Sequence, residues 1–446
     1  MQDICIEMEN NGFPINVVEA NKQIDMLQER VSWVDSVVLP FIPPKPKQKG
    51  TTITKVYKIN GDYTKQVNDW LEEGEDTVYD TGGEFVVVGS FTRIAYTPIN
   101  LDSSKQVNEW LLSNGWKPKE YNYQKDKSGK EIKDYYGNKI KTSPKLTEES
   151  LDDLEELGQA GTLIAYRRKC THKRNQIKGF LRNLREDGCI PSVVNTIGAA
   201  TGRMTHSIIA NVPAPKKGNW YKDMRKIFYA PAGYVVVGAD ADQCQVRALA
   251  HYMNDKEFTD YLLDPNIDLH AINAERAGVD RGAAKNVFYG YLFGAGANKT
   301  ASQIGCSVGE AEEVRGKFER AVPSIPALVK SVVKFWKKNG YILGIDGRKV
   351  YVHYEHMVLV YLLQNFEAVL MKWSMVIAHR EIKRLKLDAK FATMQHDEFQ
   401  MIVREDHARQ VARILEDSMR KAGTIIGSRC IIKGESKIGT TWYATH

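Results

Sequence analysis

Four residues at a fixed interval, Arg281, Lys285, Tyr289 and Phe293, carry the first recognisable chemistry in this chain. On an α-helix each four-residue step advances about 400°, so the four line one slowly drifting face. Two fixed cations followed by two flat rings suit a triphosphate, then a sugar and a base. That describes a nucleoside-triphosphate site built without a glycine-rich phosphate loop. The competing reading is an amphipathic helix whose Arg and Lys simply reach into solvent. Two acidic motifs weigh against it. Tyr234-Val235-Val236-Val237-Gly238-Ala239-Asp240-Ala241-Asp242 reads as a buried strand ending in a carboxylate. A helix should follow at once, because Val246, Leu249, Ala250 and Met253 recur at helical spacing. Residues 390–403 read as two alternating strands meeting at His396-Asp397, a hairpin with an acid at its tip. Either aspartate alone is an ordinary turn former. If the two strands lie side by side, Asp240 and Asp397 converge and can hold two divalent cations.

Such a grouping suits one reaction. Joining a hydroxyl to the α-phosphate of a nucleoside triphosphate needs an activated nucleophile, a neutralised pyrophosphate and in-line attack. Two Mg²⁺ ions about 3.5 to 4 Å apart, bridged by carboxylates, meet all three needs. Hard oxygen donors favour Mg²⁺ over zinc. The cationic helix face would grip the β- and γ-phosphates as charge moves onto them.

In this order, Asp240, then Arg281 to Phe293, then His396-Asp397-Glu398, the chain resembles family A DNA polymerases, in particular the replicative enzymes of short-tailed bacteriophages. Thr201-Gly202-Arg203, Asp268-Leu269-His270, Asp346-Gly347-Arg348-Lys349-Val350, Leu362-Leu363-Gln364 and Trp442-Tyr443-Ala444-Thr445-His446 also have counterparts there. The similarity is strong from about Cys189 onward and thinner before it.

The resemblance implies a role for each matching position. Asp240 and Asp397 would bind both metals, with the Ala241 carbonyl as a further ligand. Arg281 and Lys285 would hold the triphosphate, helped by His270, with Lys285 also serving the chemistry. Tyr289 would lie against the incoming sugar and base, and Phe293 would face the templating end of the duplex. Arg203 and Gln364 match residues that touch the minor groove near the primer terminus, and His396 one beside the terminal primer phosphate; an ordinary polar surface contact is the alternative for all three. Glu398 would be an auxiliary carboxylate, whereas His251 reads as a satisfied helix residue. Two positions depart from the pattern. Gln245 stands where a glutamate usually blocks a ribose 2′ hydroxyl, and Phe293 stands where the tyrosine that bonds that glutamate is usual. Gln keeps the bulk, but its amide can donate to or accept from a 2′ hydroxyl. Weaker exclusion of ribonucleotides than in relatives with the Glu and Tyr pair is therefore expected.

Composition agrees with a partner of polyanions. The chain has 446 residues, long enough for several domains, and a net charge of +7. Its six cysteines show no CxxC pair or zinc-ligand spacing and read as reduced thiols. Asp3, Glu7 and Glu9 are unlike a secretion signal, and no apolar run is long enough to span a bilayer, so the expected place of work is cytoplasm, the host's if this is a phage protein.

The architecture implied is α+β, a right hand with an antiparallel palm sheet, helical fingers and a helical thumb carrying an insertion. The boundaries are a thumb over 1–185 with its insertion at about 40–97, a palm over 186–252 and 360–446, and fingers over 253–359. In the thumb, Asn11-Gly12-Phe13-Pro14 breaks an opening helix, and Ala20, Ile24, Leu27, Val31 and Val34 mark an amphipathic helix that Pro40 should end. The insertion reads as Pro-rich and β-like, with turns at Asn60-Gly61 and Gly82-Gly83. Its lysines, Lys45 to Lys58, suit either DNA or a solvated loop. A helix start is read at Thr147 with Glu148 and Glu149. From Gly161 to Arg185 a longer helix carries Arg167, Arg168, Lys173 and Arg174 among eight cations with no acid between Arg167 and Arg185, a face expected to grip the phosphate backbone.

The resemblance makes primer-template DNA and dNTPs the partners. An amino-terminal exonuclease domain, usual in the family, is expected to be missing, so that editing either resides on a separate polypeptide, the preferred reading, or does not occur. The insertion lies near where some phage relatives bind a processivity factor, but its own sequence is too dissimilar to carry that partner over, and a tether is the role left open for it. Two other functions fit parts of the pattern. A single-subunit RNA polymerase would be longer, with a small residue in place of Gln245. A non-catalytic DNA-binding accessory would not need Asp240, Asp397, Arg281 and Lys285 intact.

Overall fold

The computed structural model describes residues 1–73, 89–92, 94–118, 120–127, 129, 131–146, 151, 153–213 and 223–445. The turn at Gly82-Gly83, the helix start at Thr147 to Glu149 and the final His446 lie outside these residues. The chain divides into two compact units, one formed by residues 1–24 and 176–446 and the other by 25–175.

A four-stranded antiparallel sheet anchors the first unit. Its strands are β1 (Tyr234–Ala241), β2 (Ala389–Gln395), β3 (Glu398–Arg404) and β4 (Gly434–Gly439), in spatial order β2-β3-β1-β4. The β-branched run Val235-Val236-Val237 favours the pleat. Ladder pairing sets Asp240 opposite Glu398 on one side and Glu435 on the other. Gly238 is required in this central strand, because a Cβ there would stand 2.6 Å from Gln400 Nε2 and 2.7 Å from Thr445 Cβ. Val237, Ala239, Phe399, Met401 and Val403 then join one large core with the helices.

Six helices of this unit matter for the site: α1 (Gln2–Asn11), α2 (Cys244–Met253), α3 (Leu269–Ala277), α4 (Arg281–Leu292), α5 (Val358–Arg384) and α6 (Ala408–Ile425). Helix α1 ends at Gly12 with φ 66°, as the Asn-Gly-Phe-Pro break requires. Helix α5 is buried along most of its length, from Val358 to Ile382. The region expected as helical fingers is largely so, with one antiparallel hairpin, Tyr341–Leu343 with Lys349–Tyr351, that places Asp346-Gly347-Arg348 at its turn.

Helix Val17–Val38, most of which belongs to the second unit, gives way at Pro40 to a short 3₁₀ turn, as expected. The insertion departs from its β-like reading. Strands Lys45–Gln48 and Ile94–Thr97 pair, but helix Lys65–Glu73 lies between them. Val67 and Leu71 on that helix close a small core with Ile53, Val56, Tyr63 and Phe91, which explains why a nine-residue segment of low intrinsic stability forms there. The Asn60-Gly61 turn forms, with Gly61 at φ 89° and Tyr57 bridged to Tyr63.

The basic helix runs Gly158–Arg182, three residues earlier at each end than expected. Arg167 is corrected. It is 6% exposed, and Asp35, Asp102 and the Leu101 carbonyl take four of its five N–H donors, so it serves as a structural cation. Lys173 is also buried, at 9%. Arg168 reaches Ser104 Oγ at 3.4 Å, and Arg174 bonds Gln28; both keep part of their surface open. No helix among the described residues is long and apolar enough to cross a membrane.

Candidate active site

Both predicted aspartates lie at one end of the sheet. The β2–β3 hairpin turns through only His396 and Asp397, between the paired residues Gln395 and Glu398. The Asp397 carbonyl accepts a hydrogen bond from Ala241 N at 3.0 Å, tying the hairpin tip to the end of β1. His396 takes φ 57°, and Gln243, between β1 and α2, takes φ 49°. Left-handed backbone in a residue with a Cβ costs on the order of 1 kcal/mol or more. Both turns next to the acids carry that strain.

Electrostatics marks the same place. Asp397 keeps some open surface but is densely surrounded, and its carboxyl is pushed up to about 7 by burial first, then by Glu367, Glu398 and Asp240. Asp240, which opens to solvent, is also raised, by the chain packed around it, then by Glu398, Glu435 and Asp242. Neighbouring carboxylates that raise one another are a donor set a divalent cation would relieve. Among the described residues no group of three or more His, Cys, Asp or Glu side chains is arranged to enclose a metal. A pair of aspartates with a backbone carbonyl is the donor set present, and it fits hard cations that keep several waters.

The cationic face forms as its spacing predicts. Ala284, Val287, Phe288, Gly290 and Leu292 bury one side of α4, leaving Arg281 and Lys285 exposed and Tyr289 half-buried on the other. Phe293 is the residue that ends the helix, 48% exposed, its ring stacked 6.5 Å from that of Tyr289. Asp280 caps the start through Gly282 N and Ala283 N. Gln243, Tyr261, Asp268, His270, Arg281, Lys285 and Tyr289 line a pocket of ≈ 440 Å³. The His270 ring packs 5.7 Å from Tyr289, and its buried Nδ1 has no partner among the described residues. Burial, then Lys285, holds that imidazole below its ordinary range, so it is neutral near pH 7. The Tyr289 phenol is raised by burial, then by Asp242 and Asp397, which places the helix face within the field of the carboxylates.

Asp268 was expected only as part of a motif. In the structure its Oδ1 caps α3 through His270 N and Ala271 N while its Oδ2 holds Arg281 Nε at 2.5 Å. Lys285, by contrast, has no ion-pair partner among the described residues.

Arg203 sits in a turn fastened to α5. Thr201 O accepts from Asn365 Nδ2 at 3.0 Å, Gly202 O accepts from Lys372 Nζ at 2.6 Å, and Arg203 Nη2 meets Glu367 Oε2 at 2.5 Å. Gln364 is half-buried on the same helix. His396 is exposed at the hairpin tip, edge-on to His206 at 6.3 Å. His251 is satisfied, its Nδ1 accepting from Arg429 N at 3.0 Å, and burial holds it down to about 4.

Glu398 is bonded at both oxygens. Its Oε1 accepts from Trp442 Nε1 at 2.5 Å, Gln400 Nε2 at 2.6 Å and Arg225 Nη1 at 3.3 Å, and its Oε2 accepts from the same Arg225 nitrogen at 3.4 Å. The carboxylate is thus held in a buried anchor, in which the Arg225 guanidinium also lies 4.4 Å over the Trp442 ring, while its charge still raises both Asp240 and Asp397. Glu398→Ala strands the buried Arg225 charge and should cost about 3–5 kcal/mol of stability. A urea titration reads this as a lower midpoint with unchanged slope; an unmoved midpoint contradicts the anchor.

Sequence reasoning missed Glu367 and Arg225. Glu367 had a signal, a lone acid within the apolar run Leu362 to Leu370. Arg225 had none.

A four-stranded antiparallel sheet with paired acids at one end and a cationic helix face nearby defines the right-hand polymerase fold. The structure superposes with TM-score 0.74 on the POL domain of Pol1 from M. smegmatis in complex with DNA primer-template and dNTP, at 20% identity, covering 99% of this chain and 69% of that one. The family model for DNA polymerase family A matches residues 87–444, and the chain belongs to that family. It is 28% identical to the DNA-directed DNA polymerase of Escherichia phage T7 and 27% identical to that of Enterobacteria phage T3, covering in each case 99% of this chain and 68% of the relative. It is also 25% identical to the DNA-directed DNA polymerase of Escherichia phage Phieco32, over 69% of this chain and 64% of the relative.

Proposed function

We propose that this chain extends the 3′ end of a primer on a DNA template with dNTPs, by phosphoryl transfer at a two-metal centre. The observation that carries this is the tying of Asp397 to the end of β1 beside Asp240, with Tyr289 of the cationic face in the field of Asp397 and Asp242.

Asp240, Asp397 and the Ala241 carbonyl would hold two Mg²⁺ ions, which when bound acidify the primer hydroxyl and neutralise the phosphates. Lys285 and Arg281 bind the triphosphate and meet the charge that grows on the departing pyrophosphate. His270, uncharged, accepts or donates one hydrogen bond at the same pocket. Tyr289 lies flat against sugar and base, with Phe293 stacked beyond it toward the template. Gln245 crowds the sugar 2′ position. Arg203, Gln364 and His396 steady the primer end, which fixes the direction of attack.

In this reading the palm is 186–252 with 360–446, the fingers are 253–359, and the thumb is the remainder, with a processivity factor at its insertion. Arg168 and Arg174 remain as its DNA contacts. Primer extension with dNTPs and Mg²⁺ on a primed template tests the proposal. Extension dependent on the primer supports it, whereas unprimed synthesis from rNTPs would replace it with an RNA polymerase. Binding to DNA without synthesis would leave only an accessory protein.

A further inference from the structure

Glu367 lies in the middle of α5, 1% exposed, with Leu362, Leu363, Phe366 and Leu370 buried around it. A charge held there has to be matched by its partners. It has two, both on one oxygen. Oε2 accepts from Arg203 Nη2 at 2.5 Å and from Gln245 Nε2 at 3.0 Å. Oε1 is buried with no partner among the described residues, and so is Arg203 Nε. The cluster is therefore only half satisfied. An apolar residue of similar size would often serve stability as well or better, so the carboxylate calls for a reason beyond packing.

Its partners supply one. Gln245 comes from α2, just past the end of β1, and Arg203 from the turn that Asn365 and Lys372 fasten to α5. A glutamine amide can rotate to present either its NH₂ or its carbonyl. With Nε2 given to Glu367, the NH₂ end is fixed and the side chain loses the freedom to swing aside. A block at the sugar is only as strict as it is rigid, because a mobile side chain yields to one extra hydroxyl. Phe293 has no hydroxyl to do this work, and Glu367 approaches Gln245 from another helix.

We propose that Glu367 is a positioning residue for sugar selection, holding Gln245 against the 2′ position of the incoming nucleotide and, through the same oxygen, coupling it to Arg203 at the primer end. This rests on the polymerase reading above. It also explains why a glutamate at 245 would not be a simple gain. Gln245→Glu alone sets a second carboxylate against Glu367 in a buried site, where like charges expel one another.

The test compares kcat/KM for dNTP and for the matching rNTP in the native enzyme, in Glu367→Gln and in the exchange Gln245→Glu with Glu367→Gln. In Glu367→Gln the ratio of the two should fall by about tenfold, through a lower KM for the rNTP. In the exchange, which returns one carboxylate and one amide to the pair, the ratio should recover to within about threefold of native. Equal losses for both sugars with an unchanged ratio would show that Glu367 merely supports the fold, and would overturn the proposal. An exchange variant that stays as permissive as Glu367→Gln would also overturn it. Circular dichroism checks folding. Should Glu367→Gln fail to fold, the exchange decides alone, against Gln245→Glu, which must be the more permissive of the two. A native enzyme that extends no primer fails the polymerase reading itself; one that extends normally while the ratio stays put fails this inference only.

Discussion

Asp397→Asn should abolish primer extension, by on the order of a thousandfold or more, while leaving primer-template affinity within about threefold. The Asn keeps the size and the hairpin geometry, including the Asp397 carbonyl bond to Ala241 N, and removes one charge. That charge is the one whose surroundings resist it most, since burial and three neighbouring carboxylates raise the group to about 7. An acid kept where the fold disfavours it is kept for its chemistry. A second result follows from the same physics. In chelator, the Asn variant should melt at a higher temperature than the native chain, because the repulsion is gone and no cation is present to offset it. Loss of extension with a raised melting temperature identifies a functional acid. Loss of extension with a lowered one would make Asp397 structural, and retained extension would remove it from the site.

Lys285→Ala should lower kcat/KM for dNTP by roughly 10²–10³, most of it in kcat, because negative charge on the pyrophosphate is greatest as the bond breaks. Arg281→Ala should cost distinctly less. The two cations share one pocket and one helix face, but Asp268 already occupies Arg281 at 2.5 Å, whereas Lys285 has no ion-pair partner among the described residues. A triphosphate must compete with Asp268 for Arg281, yet finds Lys285 unengaged. Single-turnover extension separates the bond-forming step from product release. Equal losses in the two variants would mean that the Asp268 contact does not restrain Arg281, and an unaffected Lys285→Ala would place the triphosphate elsewhere.

What the sequence revealed of this site follows from the range of the interactions involved. A short apolar run announced β1, alternation the β2–β3 hairpin, and four-residue spacing α4, because each pattern is local. The pairing of β1 with β3 was a condition of the reading, suggested by an acid near the end of β1 and another at the hairpin tip. Long-range partners were not legible. Arg167 looked like a DNA contact because its acids, Asp35 and Asp102, lie far away in the chain. Glu398 looked free because nothing near it in sequence announces Arg225 or Trp442. The helix Lys65–Glu73 sits in a stretch rich in turn formers and is held by a core assembled from both sides of it. The family resemblance suggested roles for single positions and marked Gln245 as a departure, but gave no sign of its bond to Glu367.

The separation of the two aspartates is set by the ladder between β1 and β3 and by the Asp397 to Ala241 bond. The chain from 242 to 388 leaves the sheet after β1 and returns to it at β2. The spacing of the acids is thus held by strand pairing rather than by the length of chain that joins them, so that chain can gain or lose surface segments without altering it, provided α4 keeps Arg281, Lys285 and Tyr289 at their shared pocket.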